Sequence, residues 1–223
     1  MSRIESFTSK SESSPDVTGF LHIPDAPNNH GLVLTHGAGA NCETPLLTSI
    51  ARTFADTGFH VLRCDLPFRQ RKKSGPPHPS QAADDRNGLR AAVAALRSRV
   101  HGNIFLGGHS YGGRQASILA SEDATIAKGL LLLSYPLHPP DKPSQLRTGH
   151  FPGVQIPALF VHGTKDPFAT VDELRAALPL IPAQAKLSIL GGAAHDLKRG
   201  KFDIAANVVA PFSELFRRGA GRP

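Results

Sequence analysis

Cysteine is scarce in this 223-residue chain: the two present, Cys42 and Cys64, are too few for a disulfide framework and fit a reducing compartment. Charge is sparse as well. Lys, Arg, Asp and Glu make up 19% of residues, below the roughly 25% of an average globular protein, which argues against a disordered interaction protein. No stretch approaches the ~20 consecutive apolar residues that a membrane span requires. The amino-terminal MSRIESFTSKSESSPD lacks the apolar core of a secretory signal, so the expected location is the cytoplasm. Internal repeats, low-complexity tracts and linkers are absent too. The expectation is one domain over 1–223, with a polar segment at 1–20 and a basic tail at 217–223. Residues 1–23 are expected to add one or two edge strands.

Apolar residues make up 40% of the chain, enough for a substantial core. Short apolar runs alternate with longer helical patterns, the signature of a mostly parallel sheet with helices on both faces, an α/β fold. The strand candidates are Gly31–His36, His60–Asp65, Asn103–His109, Gly129–Tyr135, Ala158–Gly163 and Lys186–Leu190. Most are continuous runs without polar alternation, as strands buried on both faces require. One helix is expected after Ser80 as N-cap, with Asp84 and Asp85 in its first turn and Leu89, Val93, Leu96 and Val100 as its buried stripe. Others are expected from just after Ser110 to about Ser121, over Val171–Leu178, and over Phe202–Phe216, where Pro211 should kink or split the pattern.

Gly108-His-Ser110-Tyr-Gly112 matches G-x-S-x-G. The pattern alone is modest evidence, but here an apolar strand leads in and a helix leads out. That context suits a sharp turn lifting the serine oxygen clear of the sheet. A serine hydroxyl needs a base to take its proton. The chain order Ser, acid, His, each in a loop after a strand, is met by Ser110, Asp166 and His195. Asp166 follows the strand Ala158–Gly163 directly, and His195 follows Lys186–Leu190 across a Gly-Gly-Ala-Ala loop. Rival acids are weaker. Asp196 adjoins His195 and should face away, Asp172 falls in a helix, and Asp65 precedes the nucleophile and reads as structural. Donors for a developing oxyanion are expected from the backbone N–H groups of Tyr111 and Ala38, with Gly39 as fallback, because the Gly37–Ala40 run admits close approach.

On these segments the chain resembles the α/β-hydrolase fold family. Within that family it looks like a small subfamily of predicted hydrolases, distantly akin to dienelactone hydrolases and found in bacteria and animals. The matching segments are LTHGAGA, DLPF, GGHSYGG, SYPLHPPDKPSQLRT, HGTKDPF and AAHDLK. The resemblance implies the fold and a Ser110–His195–Asp166 serine hydrolase of carboxylesterase type, and it adds little about substrate. Some animal relatives serve in larger assemblies, so a non-catalytic binding or scaffold protein on a hydrolase fold is the competing reading.

Other classes fare less well. His36, His109, His162 and His195 all end strands, but none forms an H-x-H, H-x-x-E-H or H-E-x-x-H spacing, so neither a metal nor a cofactor is expected. Net charge is +7, with the excess gathered at Arg69–Lys73 and Arg217–Arg222. The Arg69–Lys73 run lacks interleaved aromatics, so a solvated loop is expected rather than a nucleic-acid site. Cys42 reads as a small buried residue. The stretch Pro136–Gly153, where lids are commonly inserted, is proline-rich with little helical pattern, so little or no cap and an open site for a small-molecule ester are expected. That substrate is expected to be anionic, with Arg71, Lys72, Arg147 and His150 as candidate binding residues at the carboxyl edge of the sheet.

Overall fold

The computed structural model describes residues 2–197 and 202–217. Its eight strands are β1 (Arg3–Ser9), β2 (Val17–Ile23), β3 (Gly31–Thr35), β4 (His60–Cys64), β5 (Ile104–His109), β6 (Leu130–Leu133), β7 (Ala158–Gly163) and β8 (Ala185–Leu190). They form one sheet in the order β1-β2-β4-β3-β5-β6-β7-β8. Strands β3 to β8 run parallel, while β2 pairs antiparallel with both β1 and β4. Residues 1–23 thus supply two strands, of which β1 is the edge strand and β2 lies next to it.

Alternation along the central strands divides the core into two layers, because successive side chains leave opposite faces of a sheet. Leu32, Leu34, Phe105, Leu131, Leu133, Leu159 and Val161 face one side. There they meet α1 (Pro45–Asp56) and α6 (Ala210–Arg217) through Leu47, Ile50, Phe54, Phe212 and Leu215. Val33, Leu106, Leu130, Leu132 and Phe160 face the other side, under α3 (Ala82–Arg97), α4 (Tyr111–Glu122) and α5 (Val171–Ala177). Both faces of β3, β5, β6 and β7 are covered, which is why their sequences read as nearly unbroken apolar runs, whereas the edge strand β8 is part-exposed.

Several expectations need adjustment. Helix α1, which begins with Pro45 in its first turn, and the short α2 (Pro67–Arg71) are additional. Ser80 is not the N-cap of α3. It lies in a 3₁₀ turn, Pro79–Gln81, whose own cap is the His78 side chain accepting from the Ser80 N–H. Strand β6 stops at Leu133 because Ser134 adopts a left-handed φ of 47°, which ends extended pairing. The carboxy-terminal pattern is split as Pro211 demands: a π-helical turn, Ala205–Val209, precedes α6. Proline has no N–H for the carbonyl four residues earlier. That carbonyl, on Asn207, instead accepts the Ser188 hydroxyl at 2.6 Å. The basic tail from 218 onward lies outside the described residues. Among the described residues no helix is long and apolar enough to cross a membrane.

Candidate active site

The junction of β5 and α4 is a single tight turn. Ser110 sits there at φ 51°, ψ −118°, a conformation that costs a non-glycine residue about 1–3 kcal/mol. The surroundings fix it. Its N–H donates to the Leu133 carbonyl at 2.8 Å, and the Gly112 N–H donates to the His36 carbonyl at 3.2 Å. A Cβ at Gly108 would lie 2.8 Å from the Thr35 carbonyl oxygen, and one at Gly112 would lie 2.5 Å from that of His36. Only glycine fits either place, so the flanking glycines of the motif let β3 approach the turn.

His195 arrives from the loop after β8 and Asp166 from the loop after β7. The His195 Nε2 is 2.8 Å from the Ser110 Oγ, and its Nδ1 is 2.8 and 3.0 Å from the two Asp166 carboxylate oxygens. A carboxylate accepts only, so the proton belongs on Nδ1 and Nε2 is free to accept from the serine. The Asp166 side chain is wholly buried and also accepts the Phe168 N–H at 2.9 Å. The Phe168 ring packs against the His195 imidazole, centroids 4.2 Å apart. From the other side, the His109 Nε2 donates to the His195 carbonyl at 2.7 Å. Burial pushes His109 down to about 4, so it remains neutral at ordinary pH. Among the rival acids, Asp172 is exposed and pairs with Arg175 at 3.0 Å, and Asp65 accepts the Cys42 N–H at 2.7 Å. The imidazole takes Asp166 as its partner rather than Asp196. His36 and His162 hold their loops through the carbonyls of Gly37 and Ala169, at 2.9 and 2.8 Å.

The loop His36–Ala40 borders Ser110 from β3, and the basic run accounts for its shape. Arg69 is not a solvated loop residue: it lies in α2 and is buried. Its guanidinium donates to the carbonyls of Ala40 at 2.7 Å and of Ala38, Lys72 and Gly75 at 2.9 Å each. Asp85 stands in the first turn of α3, as expected, and is fully buried there, accepting the Phe68 N–H at 3.0 Å and the Tyr111 hydroxyl at 2.7 Å. Together Arg69 and Asp85 tie α2, α3 and the start of α4 to the loop beside Ser110. Cys42 and Cys64 are both buried free thiols; burial pushes Cys64 up to about 12 and raises Cys42 as well.

A cleft of about 430 Å³ opens over Ser110. Ala38, Tyr111, Phe168, Arg114, Gln115 and Arg147 are among the residues that line it with Ser110. Of the four residues expected to bind substrate, only Arg147 borders it. Arg71 pairs with Asp84 at 2.6 Å on the surface, and the Lys72 side chain is exposed. His150 donates through Nε2 to the Ser117 hydroxyl at 2.8 Å, since that hydroxyl donates in turn to the Arg114 carbonyl. Burial, and then the charge of Arg114, push His150 down to about 4, so it brings no positive charge to the cleft. Sequence reasoning passed over Arg114 and Gln115, although Arg114 lies one helical turn beyond Ser110 and therefore on the same side of α4. Residues 136–150 contain no helix, and the only regular element before Val154 is a 3₁₀ turn at Phe151–Gly153.

The class defined by this fold and site agrees with comparison to known proteins. Residues 28–207 match the model of an alpha/beta hydrolase domain family, and the chain belongs to that family. Among solved structures, it is similar to dienelactone hydrolase from Anabaena variabilis at 21% identity and a TM-score of 0.72, covering 97% of this chain and 98% of that one. A lidless serine hydrolase from Xanthomonas campestris, XC6422, is 17% identical with a TM-score of 0.73, covering 99% and 97%. Est1E from Butyrivibrio proteoclasticus is 16% identical with a TM-score of 0.72, covering 97% and 99%. At these identities the likeness speaks to the fold.

Proposed function

We propose that the protein is a serine hydrolase that cleaves a small ester, thioester or lactone through an acyl-enzyme on Ser110, acting in the cytoplasm. The observation that carries this reading is the unbroken hydrogen-bond chain Asp166–His195–Ser110, whose serine lines an accessible cleft. His195 Nε2 takes the Ser110 proton as Oγ attacks the substrate carbonyl, and Asp166 stabilises the imidazolium that forms. The oxyanion is held by the N–H groups of Ala38 and Tyr111, both beside Ser110 in the cleft wall. Collapse of the tetrahedral intermediate breaks the bond to the leaving group, which receives the proton from His195. Water then attacks the acyl-enzyme with His195 again as base, releasing the acid and restoring Ser110.

A helix-free stretch where lids are commonly inserted supports short, water-soluble substrates over lipid aggregates, so no rate jump is expected at a lipid–water interface. The direct test is a labelled fluorophosphonate. It should modify wild-type protein at Ser110 and leave Ser110→Ala unlabelled, and a panel of short esters, thioesters and lactones should then give the preferred leaving group. A folded wild type that neither labels nor hydrolyses any member of the panel would favour the binding or scaffold reading instead.

A further inference from the structure

The described arginines differ in what their hydrogens meet. Arg71, Arg86, Arg90 and Arg175 pair with carboxylates, and Arg69 is enclosed by carbonyls. Arg114 and Arg147 have no carboxylate partner among the described residues, and both line the cleft over Ser110. The Arg114 Nε is buried without a hydrogen-bond partner. Arg147 contributes a 3.3 Å bond from Nη1 to the Pro136 carbonyl, and its backbone is pinned by Leu137 and Tyr135. Burial, and then the neighbouring Arg114 charge, pull its guanidinium below the ordinary value. Two half-buried cations side by side without an anion are a costly arrangement, which a bound anion would relieve.

Gln115 provides an independent observation. It is fully buried and lines the same cleft. Its Oε1 accepts from Arg86 at 3.1 Å, which directs the amide nitrogen away from that partner. The Nε2 is buried with no hydrogen-bond partner. A buried amide donor left empty costs about 1–3 kcal/mol, so its natural partner is an acceptor that enters with the ligand.

The geometry points to a subsite built by Arg114, Arg147 and Gln115 that binds an anionic oxygen group, a carboxylate or a phosphate, on the molecule whose ester is presented to Ser110. The inference rests on the proposed hydrolase only in placing the reacting ester. Every open polar group is a donor, which suits an acceptor-only ligand. The guanidinium forks suit the paired oxygens of carboxylate and phosphate. Because Arg114 follows Ser110 by four residues on α4, it is displaced about 6 Å along the helix, so anion and reacting carbonyl can belong to one small molecule.

The test uses one aryl scaffold bearing three substituents: 4-acetoxybenzoate, 4-acetoxyphenyl phosphate and neutral 4-acetoxybenzamide. Monomethyl glutarate and its neutral counterpart methyl glutaramate move the charge to the acyl side. At low salt at least one anion should exceed its neutral counterpart in kcat/KM by about tenfold to a hundredfold, the usual range for charge-assisted hydrogen bonds. That ratio should fall towards one in Arg114→Gln/Arg147→Gln, decline with added salt, and recover in part in Arg147→Lys. Thermal unfolding checks that each variant is folded; if the double variant is not, Arg147→Gln alone carries the comparison. Whichever of phosphate and carboxylate gives the larger ratio identifies the group. Equal kcat/KM within every pair would overturn the subsite while leaving the hydrolase intact. An unreactive Ser110 would overturn the hydrolase, and calorimetry with glutarate and 4-hydroxyphenyl phosphate then decides the subsite. Saturable binding lost in the arginine variants supports it, and no binding of either compound overturns it.

Discussion

Two walls of one cleft contrast in how their polar groups are used. On the wall that holds Ala38 and Ser110, the groups packed behind it are paired: Arg69 donates to the Ala38 and Ala40 carbonyls, Asp166 accepts from His195 and Phe168, and His109 holds the His195 carbonyl. On the wall formed by α4 and the Pro136–Arg147 stretch, donors are left over on Arg114 and Gln115. The first wall is held in one arrangement by its own hydrogen bonds; on the second, open donors remain. Basic residues thus differ in meaning according to what their hydrogens meet. Buried polar groups are normally paired, so two unpaired donors lining one cleft, on Arg114 and Gln115, set that side apart.

The comparison is sharpened most strongly by disabling the closed wall. Asp166→Asn should leave the fold intact, since residue 166 can still accept the Phe168 N–H, yet its amide can donate to Nδ1 and stabilise the wrong imidazole tautomer. Turnover of the best neutral ester should fall by about four orders of magnitude, the scale seen when a triad acid no longer fixes its histidine. A fall of less than tenfold would place the acid elsewhere. The next largest effect separates the arginines. Arg69→Met strands the carbonyls of Ala38, Ala40, Lys72 and Gly75, and chemical denaturation should register a loss of about 3–5 kcal/mol, as for breaking other buried charged contacts. Arg114→Met removes a half-buried cation with no carboxylate partner, so stability should hold or rise rather than fall. If the two variants unfold alike, the division between a satisfied wall and an open wall is wrong.

How far this division was legible in the sequence depends on the interaction involved. Ser110, Asp166 and His195 could be located because each follows an apolar strand, and a parallel sheet carries all such loops to one edge. Arg69 and Arg71 could not be told apart, since both occur in one basic run. Only tertiary approach decides that Arg69 turns inward to the His36–Ala40 carbonyls while Arg71 turns outward to Asp84. Asp84 and Asp85 present the same difficulty: helix-dipole reasoning treats both alike, yet Asp85 faces the core and Asp84 the solvent. His150 fails for a related reason, because counting it as a cation ignores the burial that keeps it neutral. Periodicity identifies the strands and which faces are apolar, but the partner of a long polar side chain comes from elements distant in sequence.

The smallest effect tests the closed wall through pH. His109 is held at about 4 in the folded protein by burial, while an unfolded chain gives histidine its ordinary value near 6.5. Between these values the unfolded state binds the additional proton, so unfolding free energy rises with pH across this window and falls as pH is lowered. The stabilisation conferred by neutral His109 is therefore complete above about 6.5 and lost progressively towards pH 4. One such group contributes a slope of at most about 1.4 kcal/mol per pH unit. His109→Gln retains a donor for the His195 carbonyl without titrating, so urea unfolding between pH 4 and 7 should show a shallower dependence than wild type by up to that amount. His22 and His150 are also held near 4 by burial and will leave a residual slope in the variant. Identical slopes in wild type and variant would mean that His109 takes up its proton alike in the folded and unfolded chains. Its ring would then carry charge beside His195 at low pH, and the closed wall would lose the neutral brace that distinguishes it from the arginine side.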